Sequence, residues 1–327
     1  PWCFYYYYHY PKQNHMEETR TPMQIMYDIS KAYERNAPRQ EIMAMYEAVA
    51  DKDAISSERD KSYIHLAAEN ADPEALEYII AQGVKPGAKN SYQETALHYL
   101  AEGTNRYKTR DAEAINKCAD ILLGARVSAL MRDDGSAGGN LSYHVAVKSG
   151  NAPFIYAMMR NKVKLDMLDK EGKTLLHLIA TYPAGSAAHS IRYTKNEEEI
   201  AKYRAILDEW FDVAKALIEY GLDPDAKDQS RKSPKDYAIE KELPKLAVLF
   251  AGEYDESDTT LEDKIAAGGK TLHKAAEDGA LAAVEALLRL GADPNEVDTT
   301  EYGPYKEQTR LAVAASRLHI DCVKALL

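Results

Sequence analysis

Cysteine is scarce in this chain. Cys3, Cys118 and Cys322 are the only ones in 327 residues, odd in number and far apart. That pattern, with no C-x-x-C pair, argues against both a disulfide framework and a zinc site. Unpaired cysteines favour a reducing compartment, the cytoplasm or the cytosol of a host cell, although a secreted repeat protein can also lack disulfides. Only 4 phenylalanines and 2 tryptophans stand beside 23 tyrosines, so most of the aromatic surface carries a hydroxyl at its edge. No run of about 18 apolar residues occurs, and no membrane span is expected. Positive charge is in deficit as well. A formal net charge of −11 leaves no basic surplus to displace counterions from a phosphate backbone, which argues against nucleic acid as a partner.

Catalytic signatures are missing too. There is no G-x-S-x-G elbow, no H-E-x-x-H pair and no D-x-D-x-D-G loop, and the carboxylates are dispersed. Gly172-Lys173-Thr174 and Gly269-Lys270-Thr271 look like the ends of phosphate-binding loops. The positions where such a loop needs its first glycine hold Met167 and Lys264 instead. No catalytic residue, cofactor or metal site is therefore expected, and the chain reads as a non-enzyme.

What the chain does contain is a recurring phrase. Tyr63-Ile64-His65-Leu66-Ala67-Ala68 is followed by Thr95-Ala96-Leu97-His98-Tyr99-Leu100-Ala101, by Thr174-Leu175-Leu176-His177-Leu178-Ile179-Ala180 and by Thr271-Leu272-His273-Lys274-Ala275-Ala276. His65 and His98 are 33 residues apart, as are His144 and His177. Self-similarity at a fixed period of about 20 to 50 residues marks stacked repeats. Length then ceases to count domains, because a solenoid grows by adding units.

These residues and their spacing resemble the ankyrin repeat, whose unit reads roughly D-x-x-G-x-T-P-L-H-x-A-A-x-x-G-H, then an apolar second helix, then G-A-D-x-N. The unit from Gly268 to Asp298 follows it most closely, and that from Asp60 to Gly83 keeps the spacings. Leu141-Ser142-Tyr143-His144-Val145-Ala146 heads a degenerate unit. In Ser233-Pro234-Lys235-Asp236-Tyr237-Ala238, Asp236 replaces the histidine, and in the unit from Thr309, Ala312 does. Alanine pairs let the inner helix approach its neighbour, while Val284, Leu287 and Leu288 give the outer helix an apolar stripe. One unit burying about five large apolar side chains at about 2 kcal/mol each cannot offset an ordering cost of about 1 kcal/mol or more per residue. The units must stack.

The resemblance implies an all-α ankyrin-repeat solenoid of helix-turn-helix units joined by hairpin loops. Residues 1–22 read as an aromatic, poorly ordered N-terminal segment, and 23–327 as a single array of about seven units. Residues 23–57 form a helical N-cap unit with a polar outer face. The C-terminal end shows no cap, so the array is expected to be truncated at Leu327. In the family the repeated histidine is structural, and the resemblance assigns His65, His98, His144, His177 and His273 to hydrogen bonds within and between repeat heads.

Departures from 33 mark extra chain. His98 to His144 is 46 residues and His177 to Asp236 is 59. The excess falls into insertions at 103–115 and 182–210, in the turns joining inner to outer helix. Asn196 before Glu197-Glu198-Glu199 is an N-cap with acids on the positive end of a helix. The apolar rhythm Ile200, Tyr203, Ile206, Leu207, Trp210, Phe211 then runs into the outer helix. Two units thus carry lengthened outer helices, expected to form a side lobe in which Trp210, Tyr203 and Tyr193 bury one another. The acidic run from Glu253 to Asp263 reads as solvated loop.

The resemblance also says where binding occurs: on the concave side, lined by hairpin tips and the ends of inner helices. The tip residues are Ser91 and Tyr92, Lys170 and Glu171, Gln229, Ser230 and Arg231, and Tyr305 with Lys306. The helix-end residues include Glu69, Asn70 and Lys148. The expected function is a protein-binding scaffold, monomeric, gripping a partner protein in that groove. Two alternatives stay open: the targeting arm of a larger enzyme or host-directed effector whose catalytic part lies elsewhere, and self-association through the inserted lobe.

Overall fold

The computed structural model describes residues 20–55, 61–103, 111–134, 139–295 and 309–327. Among them are eighteen helices and no strand. Isolated antiparallel bridges pair Ile55 with Ser62 and Arg132 with Leu141.

The helices come in pairs. α1 (Pro22–Glu34) and α2 (Arg39–Glu47) form the first. α3 (Tyr63–Glu69) precedes α4 (Pro73–Ala81), α5 (Ala96–Glu102) precedes α6 (Ala112–Gly124), and α7 (Ser142–Lys148) precedes α8 (Ala152–Arg160). α9 (Leu175–Thr181) is followed by two helices, α10 (Pro183–Tyr193) and α11 (Glu197–Glu219). Then come α12 (Pro234–Glu240) and α13 (Pro244–Phe250), a lone α14 (Leu261–Ala267), α15 (Leu272–Asp278) with α16 (Leu281–Arg289), and α17 (Arg310–Ser316) with α18 (Ile320–Leu326). This is a helical repeat solenoid.

Two rows run through it. The inner helices α1, α3, α5, α7, α9 and α12 pack side by side, and α2, α4, α6, α8, α11 and α13 form the second row. From α3 onward every inner helix is seven residues long, and those of the main row up to α9 are buried nearly all round: Tyr63 to Ala68 in α3, Ala96 to Ala101 in α5, Leu175 to Ala180 in α9. Alanines 67, 68, 101 and 180 admit the close approach. The outer helices bury one stripe, as Ala75, Leu76 and Ile79 do in α4. The left-handed residue after a helix is not glycine but Asn36, Ala71, Arg126, Lys162, Glu242 or Leu318 at six turns. The turn is fixed by packing on both sides, which holds these residues in a conformation that costs about 1 kcal/mol.

α1 sits on α3 and α2 on α4, extending both rows. Asp72, the buried N-cap of α4, ties them together: it accepts from Arg39 of α2, from the Tyr33 hydroxyl of α1 and from its own Ala75 amide (2.8 Å). Met23 and Tyr27 of α1 are exposed beside Lys61, Leu66 and Tyr99.

Three features depart from expectation. α6 and α11 do not meet in a lobe: α8 lies between them, and α11 pairs instead with α10. α10 was hidden because its buried residues are Ala184, Gly185, Ala187 and Ala188, which leave no hydrophobic periodicity. Trp210 is buried and Tyr203 half-buried, but Tyr193 is 76% exposed and lies at a tilt to His189, with ring centroids 4.7 Å apart. The acidic run ends in a helix, α14, which carries Glu262 and Asp263 in its first turn where the helix dipole favours them. Lys264 bonds Asp258 (2.6 Å) and Arg289 reaches back from α16 to Asp263 (2.8 Å).

α14 wedges between α13 and α16, and the inner helices α12 and α15 share no interface like those joining the rest of the row. The core divides at this point. One cluster runs from Met26 to Phe250; a smaller one, built on Leu272, Val284, Cys322, Leu326 and four alanines, holds α15 to α18.

Candidate functional site

The repeat heads set the geometry. In α3 the Ser62 amide donates to His65 Nδ1 (3.2 Å), with the Ser62 hydroxyl 2.8 Å from the same nitrogen. The proton therefore sits on Nε2, which donates to the Ala88 carbonyl at the base of the next hairpin (3.2 Å). The same bridge joins His98 to Asn140 (3.4 Å), His144 to Met167 (3.0 Å) and His177 to Lys232 (3.0 Å). Burial pushes His65 and His144 down to about 4 and lowers His98 and His177. These rings are neutral bridges with both nitrogens engaged. Among the described residues no group of three or more histidines, cysteines and carboxylates could hold a metal ion.

At Asp236 the bridge changes. Burial opposes ionisation there, but the Ser233 amide (2.6 Å), the Ser233 hydroxyl (2.8 Å) and Lys227 hold its carboxyl below the usual carboxylate range. A carboxylate can secure the helix start but cannot donate to the next unit's carbonyl. This is where the inner row is interrupted. His273 also departs from the expected set. Only Leu272 separates it from its N-cap Thr271, so Lys274 takes the third helical position and His273 the second. It is buried, and among the described residues neither ring nitrogen has a partner.

Three hairpin tips each hang on one buried side chain. Asn90 Oδ1 accepts from the amides of Tyr92 and Glu94 (both 2.9 Å). Asp169 accepts from Glu171 and Lys173 (both 2.9 Å), and Asp228 from Ser230 (2.8 Å) and Lys232 (3.0 Å). Sequence reasoning missed these three. Their signal is position: each lies eight residues before the head position at His98, His177 or Asp236. The tips also bond to one another: the Asp134 amide donates to Tyr92 (2.6 Å), and Gln229 donates through its backbone to Glu171 (3.1 Å) and through its side chain to Lys170 (2.9 Å). The tips are thus bonded in two pairs, and Ser91, Tyr92, Lys170, Glu171, Gln229, Ser230 and Arg231 are all exposed on them. Tyr305 and Lys306 lie outside the described residues.

Below the tips runs a floor of lysines over aromatic rings. Lys61 pairs with Glu69 and lies 5.4 Å from the Tyr99 ring. Lys148 bonds Asn140 (2.6 Å), is 3.9 Å from Asp169 and lies 5.6 Å from the Tyr182 ring. Burial lowers its pKa, against the pull of Asp169. Lys173, paired with Glu171 (2.7 Å), and Lys232, paired with Glu240, both lie over the Tyr237 ring, at 5.1 and 5.6 Å, while the Tyr237 hydroxyl donates to Asp228 (2.7 Å). Such contacts hold the ammonium groups in place without removing their charge. At the α1 end the floor opens into a cleft of about 670 Å³ lined by Met23, Tyr27, Lys61, Leu66, Glu69 and Tyr99, among others. Glu69 and Lys148 thus belong to the floor. Asn70 does not: its side chain donates to the Leu66 carbonyl (2.9 Å) and borders a separate polar cleft at the α3–α4 turn.

Comparison with known proteins agrees with this architecture. The family profile of the ankyrin repeat matches residues 271–299. The chain is 25% identical over 264 residues to a human (Homo sapiens) protein, Rabankyrin-5, a match that covers 80% of this chain and 22% of that relative's length. No helix among the described residues is long and apolar enough to cross a membrane.

Proposed function

Because the chain belongs to the ankyrin-repeat family, we propose that it binds another protein along the groove between the hairpin-tip edge and the lysine–tyrosine floor. Ankyrin repeats generally mediate protein–protein interaction, and both the family and the relative point to a non-catalytic interaction domain. The observation that carries the groove assignment is the tip edge itself. Its tips are bonded in pairs, Asp134 to Tyr92 and Gln229 to Lys170 and Glu171, while Tyr92, Lys170 and Arg231 stay exposed. A preformed edge loses little entropy on binding, and tyrosine and arginine supply area with a polar handle. Lys148, Lys173 and Lys232, held over rings and paired with Asp169, Glu171 and Glu240, give the floor fixed charge pairs that a partner's charged groups must match in register.

The test is the triple variant Tyr92→Ala, Lys170→Ala, Arg231→Ala in an affinity capture. Its thermal unfolding should match that of the unaltered chain, since all three side chains are exposed, and its partner recovery should fall at least about tenfold. Equal recovery would defeat the groove assignment. Loss of capture only on removal of 183–209, accompanied by conversion of a dimer to a monomer in light scattering, would favour self-association through α10 and α11 instead.

A further inference from the structure

Away from the groove, a second recess opens where the turn between α12 and α13 meets the side of α11. Leu207 and Phe211 form one wall and Leu243, Pro244 and Leu246 the other, around a space of about 270 Å³. Small-molecule pockets begin at about 300 Å³; this one is sized for a single bulky side chain. It is preformed, because Phe211, Leu243 and Leu246 are buried in the main core and Leu243 is the N-cap of α13.

The rim is charged, and its charges cancel in pairs. Lys245 lies 3.5 Å from Asp208 with its ammonium 4.2 Å from the Phe211 ring centroid, and Glu242 pairs with Arg192 (3.1 Å). Arg204 is the exception. It lies one helical turn before Leu207 and Asp208 on the same face of α11, is exposed, and has no partner among the described residues. The mouth of this apolar recess therefore carries one uncompensated positive charge on a chain whose net charge is −11.

We propose that the recess docks a segment of a partner protein presenting one bulky apolar side chain, phenylalanine or leucine, flanked by carboxylates. The apolar group enters between Leu207 and Pro244, and a neighbouring carboxylate takes the Arg204 guanidinium. The paired rim charges then exclude water around the anchor without competing for it. The site lies on the edge of the stack formed by the inner-to-outer turns, so it stands whether or not the groove binds.

A blocked heptapeptide of six glutamates around a central phenylalanine is the probe, titrated into the deuterated, nitrogen-15-labelled full chain at low salt. Saturable shifts are expected at residues 204–211 and 242–246. Replacing the phenylalanine by alanine or the glutamates by lysines should abolish them. Arg204→Glu, at an exposed position, should weaken binding about tenfold or more, and Leu207→Trp, which fills the recess, should remove it while leaving the circular dichroism spectrum unchanged. Lys170→Ala in the groove should have no effect. Several outcomes overturn the proposal: no saturable shift, equal binding of the lysine peptide, insensitivity to Arg204→Glu, or shifts confined to the tips. Broadening of the same resonances with protein concentration alone would also do so, because the occupant would then be a second copy of the chain.

Discussion

A single missing residue changes what a histidine does here. In α3, α5, α7 and α9 the second helical position holds Ile64, Leu97, Tyr143 and Leu176, all buried, and the third holds the bridging imidazole. In α15 the head is one residue shorter, so His273 occupies the apolar position and Lys274 the bridging one. A buried imidazole without a partner loses its hydration and gains nothing in return. His273→Leu is accordingly expected to stabilise the chain by about 1–2 kcal/mol, read as a rise in the urea midpoint of hydrogen-exchange protection in α15 and α16. The equivalent change at His177, which bridges to Lys232, should instead lower stability. A fall in protection for His273→Leu would mean that the ring has a partner outside the described residues.

At the level of elements, large side chains with a period were legible in the sequence and close packing of small ones was not. The repeat heads, the Asn196 cap and the continuous stripe through Trp210 announced α3, α5, α9 and α11. α10 gave no such signal because it is held by proximity. A Cβ on Gly185 would lie 2.5 Å from the Ala180 carbonyl oxygen and 3.4 Å from Lys241, so only glycine lets α10 fold back against α9 and α12. α14 was obscured for another reason: seven residues are too few for a hydrophobic period to stand out from the acids before them. Site residues followed the same rule. Exposed tip positions could be counted from the head histidine, whereas Asn90, Asp169 and Asp228 act through backbone amides and show only as a recurring acid or amide. Gly185→Val should push α10 off the stack. Trypsin is then expected to cut at Arg192, Lys195, Lys202 and Arg204 at least about tenfold faster, with cleavage elsewhere unchanged, as followed by mass spectrometry. Unaltered cleavage would show that α10 tolerates the larger side chain.

For the whole molecule the decisive feature is the division of the core after α13. Bridging histidines link α3 through the start of α12; at Asp236 the bridge stops, α14 enters the outer row, and the remaining two pairs keep a small cluster half made of alanine. In a linear stack, stability is close to a sum of unit and interface contributions, so a weak interface separates what lies on either side. Protection of α15 to α18 should be lost at a lower urea concentration than the fluorescence change of Trp210, which reports the larger cluster. Coincident transitions would make the stack one cooperative body. The same division bears on what a partner can be. A ligand laid along α1 to α12 meets an unbroken row, but one that also engages α15 and α17 has to step across α14. It therefore behaves as a bivalent ligand, whose grip on the second surface depends on the length and stiffness of the chain between its two contact points rather than on further contacts.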